Sequence, residues 1–131
     1  MSQPAVSDAR KGGRAETSHT AGLEAFFEIA ESWNLTTDQQ IVLLGSPGRS
    51  TFFKWKKDGG NLPNDTIERL SHLLSIWKAL RILFTRDDRG EAWMVSSNDY
   101  WDGRSALDVM LGGKMADILQ VRQYVDAQRG G

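Results

Sequence analysis

The sequence predicts an all-α protein, and three observations carry that prediction. Apolar residues recur at spacings of three and four through most of the 131 residues, the rhythm of helices with one buried stripe. Glycine and proline interrupt the rhythm at Gly45-Ser46-Pro47-Gly48, at Gly59-Gly60 with Pro63, and at Gly112-Gly113, so the helices are several and mostly short. After the first of these breaks, Arg49-Ser50-Thr51-Phe52-Phe53-Lys54-Trp55-Lys56-Lys57 gathers four positive charges with no acid before Asp58, the outline of a helix-turn-helix. The expected architecture is an N-terminal helix-turn-helix bundle joined by one long helix to a small C-terminal helical domain. Its expected parts are a disordered leader over residues 1–18, the bundle over 19–84 and the C-terminal domain over 85–131.

The elements follow in order. The leader is polar and offers nothing to bury, and its basic trio Arg10, Lys11 and Arg14 reads as a solvated tail in preference to a phosphate contact. From about Thr20 to Trp33, Leu23, Phe26, Phe27, Ala30 and Trp33 form one stripe with Glu24, Glu28 and Glu31 opposite. Thr36 and Thr37 each precede a glutamine by three residues, so either is able to open a capping box for a short helix that buries Ile41, Leu43 and Leu44. Gly45 ends that helix in a left-handed conformation and Pro47 prevents its resumption. Pro63 and Asp65-x-x-Glu68 open the longest helix, with a stripe of Ile67, Leu70, Leu73, Leu74, Trp77, Leu80, Leu83 and Phe84. Asp87-Asp88-Arg89-Gly90 is read as the boundary between the two domains.

Residues 91–104 mix aromatics with turn formers, a composition that suits a packed loop and a binding surface alike. Of these, Trp93 is assigned to the core and Trp101 to either. Ser105 caps a short helix holding Leu107, Val109, Met110 and Leu111, which Gly112-Gly113 stops. The last helix, about Lys114 to Gln128, is apolar on more than one face, as expected of a helix that meets a partner or is wedged between two others.

Composition narrows the functions. The chain has no cysteine, which excludes disulfides, thiolate zinc sites and cysteine nucleophiles. His19 and His72 are far apart and lack a second ligand at metal-binding spacing, so no metal and no cofactor are expected. Without a catalytic constellation an enzyme is the least favoured class. No apolar run is long enough to span a bilayer and no signal-peptide core is present, so a cytoplasmic protein without membrane contact is expected. The net charge of −1 is unevenly spread, with +4 over residues 45–57 and −2 over residues 85–131. Two surfaces with different partners would account for that asymmetry.

At 100° per residue, Phe52 and Trp55 fall on one side of the basic helix, the anchor, while Ser50, Phe53, Lys54 and Lys57 gather on the other beside Arg49. Cations and hydroxyls on one face suit DNA, because Arg and Lys neutralise phosphates, Ser bonds phosphates or base edges, and an apolar ring meets a thymine methyl. The expected DNA contacts are Arg49, Ser50, Thr51, Phe53, Lys54 and Lys57. A merely solvated basic surface is the weaker reading, because turn and charge coincide.

Leu43-Leu44-Gly45, Arg49-Ser50-Thr51-Phe52, Lys54-Trp55-Lys56 and Glu68-Arg69-Leu70 through Phe84 make the first half resemble the Xre-like antitoxins, also grouped as the MbcA/ParS/Xre family. Trp93, Asn98, Gly103-Arg104-Ser105-Ala106-Leu107-Asp108, Leu111-Gly112-Gly113 and Val121 extend the resemblance, which covers about residues 23–131. Ala106 stands where the family usually has Pro, and Pro47-Gly48 lengthens the turn by a residue over the generic repressor spacing. The resemblance implies an antitoxin whose C-terminal domain neutralises a RES-domain, NAD-consuming toxin and whose N-terminal domain binds operator DNA, with a homodimer expected for a palindromic operator. Its expected toxin contacts are Trp101, Arg104, Tyr124, Val125, Gln128, Arg129, Gly130 and Gly131. A stand-alone regulator whose C-terminal domain dimerises or senses a small molecule is the alternative.

Overall fold

The structure, a computed structural model, describes the backbone of residues 7–130 and the side chains of residues 20–130. It is all-helical, with no strand among the described residues. The first helix, α1, runs over Ser7–Ser32. It thus starts well before Thr20, within the stretch assigned to the leader. Helix propagation is far easier than nucleation, so a helix anchored by Leu23 and Phe26 extends toward the N-terminus beyond Thr20, even through Gly12 and Gly13. Residues 1–6 of the expected leader lie outside the described residues, as do the side chains of Arg10, Lys11, Arg14 and His19. At its other end Asn34 turns left-handed at φ 57°, and Leu35 N–H donates to Ala30 C=O while Asn34 N–H donates to Glu31 C=O. This pair of bonds is a Schellman stop.

Helix α2 covers Thr37–Leu43 and α3 covers Arg49–Asp58. Of the two possible capping boxes, the chain forms the one between Thr36 and Gln39, with Gln39 N–H on Thr36 Oγ1 at 3.1 Å and Thr36 N–H on Gln39 Oε1 at 2.9 Å. Gln40 instead buries its side chain and donates to Leu35 C=O. The end of α2 repeats the Schellman pattern, with Gly45 at φ 101° and Ser46 N–H reaching back to Ile41 C=O. Gly45 is required twice over. A Cβ there would stand 2.9 Å from Asp65 Oδ2 and 3.3 Å from Arg69 Nε, besides adopting a backbone conformation that L side chains avoid.

Helix α4, Asn64–Leu83, supplies those two side chains. Asp65 does not cap it. Its carboxylate accepts from Arg69 Nε at 2.7 Å, and Thr66 Oγ1 donates to Leu44 C=O at 2.9 Å, so the first turn of α4 clamps the turn that separates α2 from α3. Leu70, Leu73, Ile76, Ala79 and Leu80 are buried, while Trp77 is only half-buried. The expected stripe is therefore broadened, by Ile76 and Ala79, because α4 packs against α1, α5 and α7, which leaves only the face of Glu68, Ser71, Lys78 and Ile82 to solvent.

Helix α5, Asp87–Val95, begins in the stretch read as the boundary between the two domains. Asp87-Asp88-Arg89-Gly90 is its first turn, where two carboxylates oppose the positive end of the helix dipole. Gly90 is buried in it rather than breaking the chain, 3.6 Å by its would-be Cβ from Leu80 Cβ and Phe84 Cδ2. Ser32 Oγ of α1 donates to the Glu91 carboxylate and ties the two halves directly.

A 3-10 turn, Asp99–Trp101, follows, capped by the Asn98 side chain on Tyr100 N–H at 2.9 Å. Helix α6, Ala106–Met110, begins in a capping box of Ser105 and Asp108, which fixes its start although Ala106 replaces a proline. Helix α7 covers Met115–Gly130 and buries Ile118, Val121 and Val125 between α4 and α6. It lies back along α4, as the 2.8 Å contact of Arg122 Nη1 with His72 Nδ1 shows. His72 is thereby a structural link. Buried residues from all the helices form one continuous core, so the two expected domains share an interior.

Candidate functional site

Helix α3 exposes one face and buries the other, as its wheel requires. Phe52 and Trp55 are buried, Phe52 edge-on to Phe27 at 5.9 Å, and this anchors the helix on α1. Arg49, Ser50, Thr51, Phe53, Lys54 and Lys57 are all exposed. Five of them, Arg49, Ser50, Phe53, Lys54 and Lys57, lie on the helix face opposite the anchor, while Thr51 falls beside the anchor side. Phe53 is 45% exposed, unusual for so apolar a ring, and it leans on Phe52 at 5.2 Å. No side chain caps the start of α3, because its N-cap is Gly48, and the N–H groups of the first turn face the same region.

The four cations are not equivalent. Arg49 Nη1 donates to Asp38 Oδ1 of α2 at 2.7 Å, and its Cζ lies 5.7 Å from the centre of the Phe53 ring. Lys56 turns away, its Nζ 5.7 Å over the Phe27 ring, at a groove of about 600 Å³ also lined by Glu24, Glu28 and Glu31. Among the described residues Lys54 and Lys57 have no ion-pair partner, so their charge is available to phosphate. Asp38 escaped the sequence reading. An acid in the first turn of a helix reads as a dipole partner, and only the crossing of α2 and α3 brings it to Arg49.

The C-terminal candidates divide differently. Trp101 is 4% exposed and Val125 1%, so both lie in the core of the free protein. Trp101 sits where three rings converge, 4.9 Å from Tyr124, 5.4 Å from Tyr100 and 6.3 Å from Trp93, and such a cluster excludes water from its centre. Val125 is one of the three residues of α7 that face inward. Tyr124 is half-buried and stacks on Trp93 at 6.0 Å with 12° between planes. Arg104, Gln128, Arg129 and Gly130 are exposed, the last three on the final turn of α7, while Gly131 lies outside the described residues.

Two features of this end were missed. Tyr100 is 67% exposed beside the cluster, 4.7 Å from Tyr124. A cleft of about 190 Å³ opens between α4, α5 and α7, lined by Leu80, Leu83, Phe84, Trp93, Tyr124, Val125 and Gln128. Leu83 and Phe84, at the ragged end of the α4 stripe, were the available signal.

Among the described residues no group of three His, Asp or Glu is placed to hold a metal ion, and no helix is long and apolar enough to cross a membrane. Residues 14–75 match the family described as the antitoxin Xre-like helix-turn-helix domain, and residues 79–131 match the antitoxin Xre/MbcA/ParS C-terminal toxin-binding domain. A protein of Sinorhizobium fredii (strain NBRC 101917 / NGR234), "Uncharacterized protein y4oB", is 68% identical over 111 residues, which are 85% of this chain and 86% of the relative. The two matches follow one another in the order of the helices just described, with the α2–α3 pair in the first and α5–α7 in the second. The chain belongs to the Xre/MbcA/ParS antitoxins, with an Xre-like helix-turn-helix followed by a toxin-binding domain.

Proposed function

We propose that this antitoxin neutralises a RES-domain toxin that consumes NAD, and that it represses its own operon by binding operator DNA as a homodimer in the cytoplasm. The observation that carries the DNA half is the exposed face of α3, where Arg49, Ser50, Thr51, Phe53, Lys54 and Lys57 stand over the buried Phe52 and Trp55. Lys54 and Lys57 bind phosphates and set the register, and the residues at the start of the helix enter the major groove. Two copies on a palindrome raise the affinity of a single weakly charged half-site.

The toxin half rests on the family of residues 79–131 and on the surface at the end of α7. Tyr100 and Tyr124, with the cleft beside them, form an apolar seat that Gln128 lines with a polar group, and Arg104 and Arg129 are further exposed polar groups on the same domain. This is the composition of an interface core with its rim. Arg129 is exposed on the final turn of α7, and a cation there is able to replace contacts that cofactor phosphates would make in a dinucleotide pocket.

The test is co-expression with the product of the neighbouring gene and purification through a tag on one partner. A stable complex with suppressed NAD consumption is expected, and deletion of Gln128 to Gly131 should keep the fold while weakening suppression. A truncated protein that still protects cells fully would move the toxin contact elsewhere. Absence of any complex would leave a stand-alone regulator.

A further inference from the structure

Arg49 and Asp38 form a bond that does little for stability. Their side chains are 62% and 85% exposed, and pairs so exposed are screened by water. The bond does fix a direction. Asp38 engages Nη1 of the guanidinium, which leaves the Nε–H and Nη2–H edge as a planar fork of two donors. Phe53, one turn further along α3, supports the same guanidinium with its ring at 5.7 Å and keeps 45% of its own surface exposed. A long, flexible cation is thus held from two sides at the first position of the helix that the DNA reading places in the major groove.

A cation meant only for phosphate needs no such support, since phosphate attraction tolerates many geometries, as at Lys54 and Lys57, which have no ion-pair partner among the described residues. A planar fork with fixed orientation matches the O6 and N7 acceptors of guanine, and an exposed ring beside it matches the 5-methyl group of thymine. We propose, resting on the DNA-binding reading above, that Arg49 reads a guanine, that Phe53 reads the methyl group of a thymine next to it, and that Asp38 is the positioning residue that makes the guanine contact selective. Neither Asp38 nor this base step follows from charge alone, because an acid beside DNA repels phosphate and lowers affinity for every sequence alike. Its value lies in discrimination.

The experiment starts from a random duplex pool, selected with the full-length protein and sequenced. The wild type is expected to enrich a motif with guanine beside thymine in each half-site. Affinities are then measured for the enriched duplex, for the same duplex with guanine changed to adenine or to 7-deazaguanine, and with thymine changed to deoxyuridine. Asp38→Ala should reduce the preference for guanine over adenine by about tenfold. Binding of Asp38→Ala to unrelated duplex should stay equal or become tighter. Phe53→Ala should lose the preference for thymine over deoxyuridine and keep that for guanine, and circular dichroism should show all variants folded. If Asp38→Ala discriminates guanine from adenine as the wild type does, Asp38 positions nothing and the inference fails while DNA binding stands. A wild-type protein that retains duplex without any enriched motif would overturn the base contacts while DNA binding stands, and one that retains no duplex at all would remove the DNA-binding reading and this inference together.

Discussion

Helix α3 and the C-terminal helix α7 pose the same question to a reader of the sequence, which face is buried, and answer it with different clarity. On α3 the two buried rings fall on one side and Arg49, Ser50, Phe53, Lys54 and Lys57, all exposed, on the other, as the helical wheel predicts. On α7 and the turn before α6, the candidates mix exposed Arg104, Gln128 and Arg129 with buried Trp101 and Val125. The difference is one of neighbours. A helix packed on one side keeps the amphipathic pattern that its sequence announces, whereas α7 is wedged between α4 and α6 and its apolar residues spread round the axis. An apolar residue on a two-sided helix therefore says little about binding until its neighbours are known.

Mutations sharpen this comparison, and the largest effect should come from the C-terminal end. Trp101→Ala removes a buried ring at the centre of the aromatic cluster and should lower unfolding stability in urea by about 3–5 kcal/mol. Trp101→Phe should cost much less, because among the described residues the indole N–H has no hydrogen-bond partner to lose. Were Trp101 a toxin contact, Trp101→Ala would leave the urea midpoint in place and abolish complex formation.

Next in size is Gly45→Ala, which forces a left-handed backbone on a side chain and drives its Cβ toward Asp65 and Arg69. A loss of about 1–3 kcal/mol is expected. DNA affinity should fall with it, since the displaced turn is the one that aims α3. Thermal melts and fluorescence anisotropy on the same preparation would check both. Unchanged anisotropy with a lowered melting temperature would mean that the clamp from α4 does not aim the helix.

Lys54→Ala should act at the other extreme, leaving stability unchanged. It should weaken binding to all duplexes several-fold and reduce the slope of log K against log salt by about 1. A slope equal to that of the wild type would take Lys54 off the phosphate backbone. The smallest effect should be a gain. Gly90→Ala places a methyl in ordinary contact with Leu80 and Phe84 inside α5 and should stabilise the chain by about 0.5–1 kcal/mol. That gain would separate a helical glycine from the domain hinge that the sequence suggests at this point.

Within the chain, what the sequence alone determined was local. Capping boxes, the glycine stop at Gly45, the short helix after Ser105 and the anchor side of α3 depend on residues within a few positions of each other, and these interactions form whatever the rest of the chain does. The all-helical class followed from the same short-range periodicity. The start of α1 was misplaced because an end without a strong cap moves with the stability of the helix behind it. Tertiary structure alone decided the remainder. It placed Asp38 on Arg49, Ser32 on Glu91, Arg122 on His72 and the first turn of α4 on the turn before α3. Each of these contacts joins residues far apart in the sequence, and no local pattern encodes which face of one helix meets which face of another. The two halves share one core for the same reason, since α7 folds back along α4 to bury a surface that neither helix covers alone.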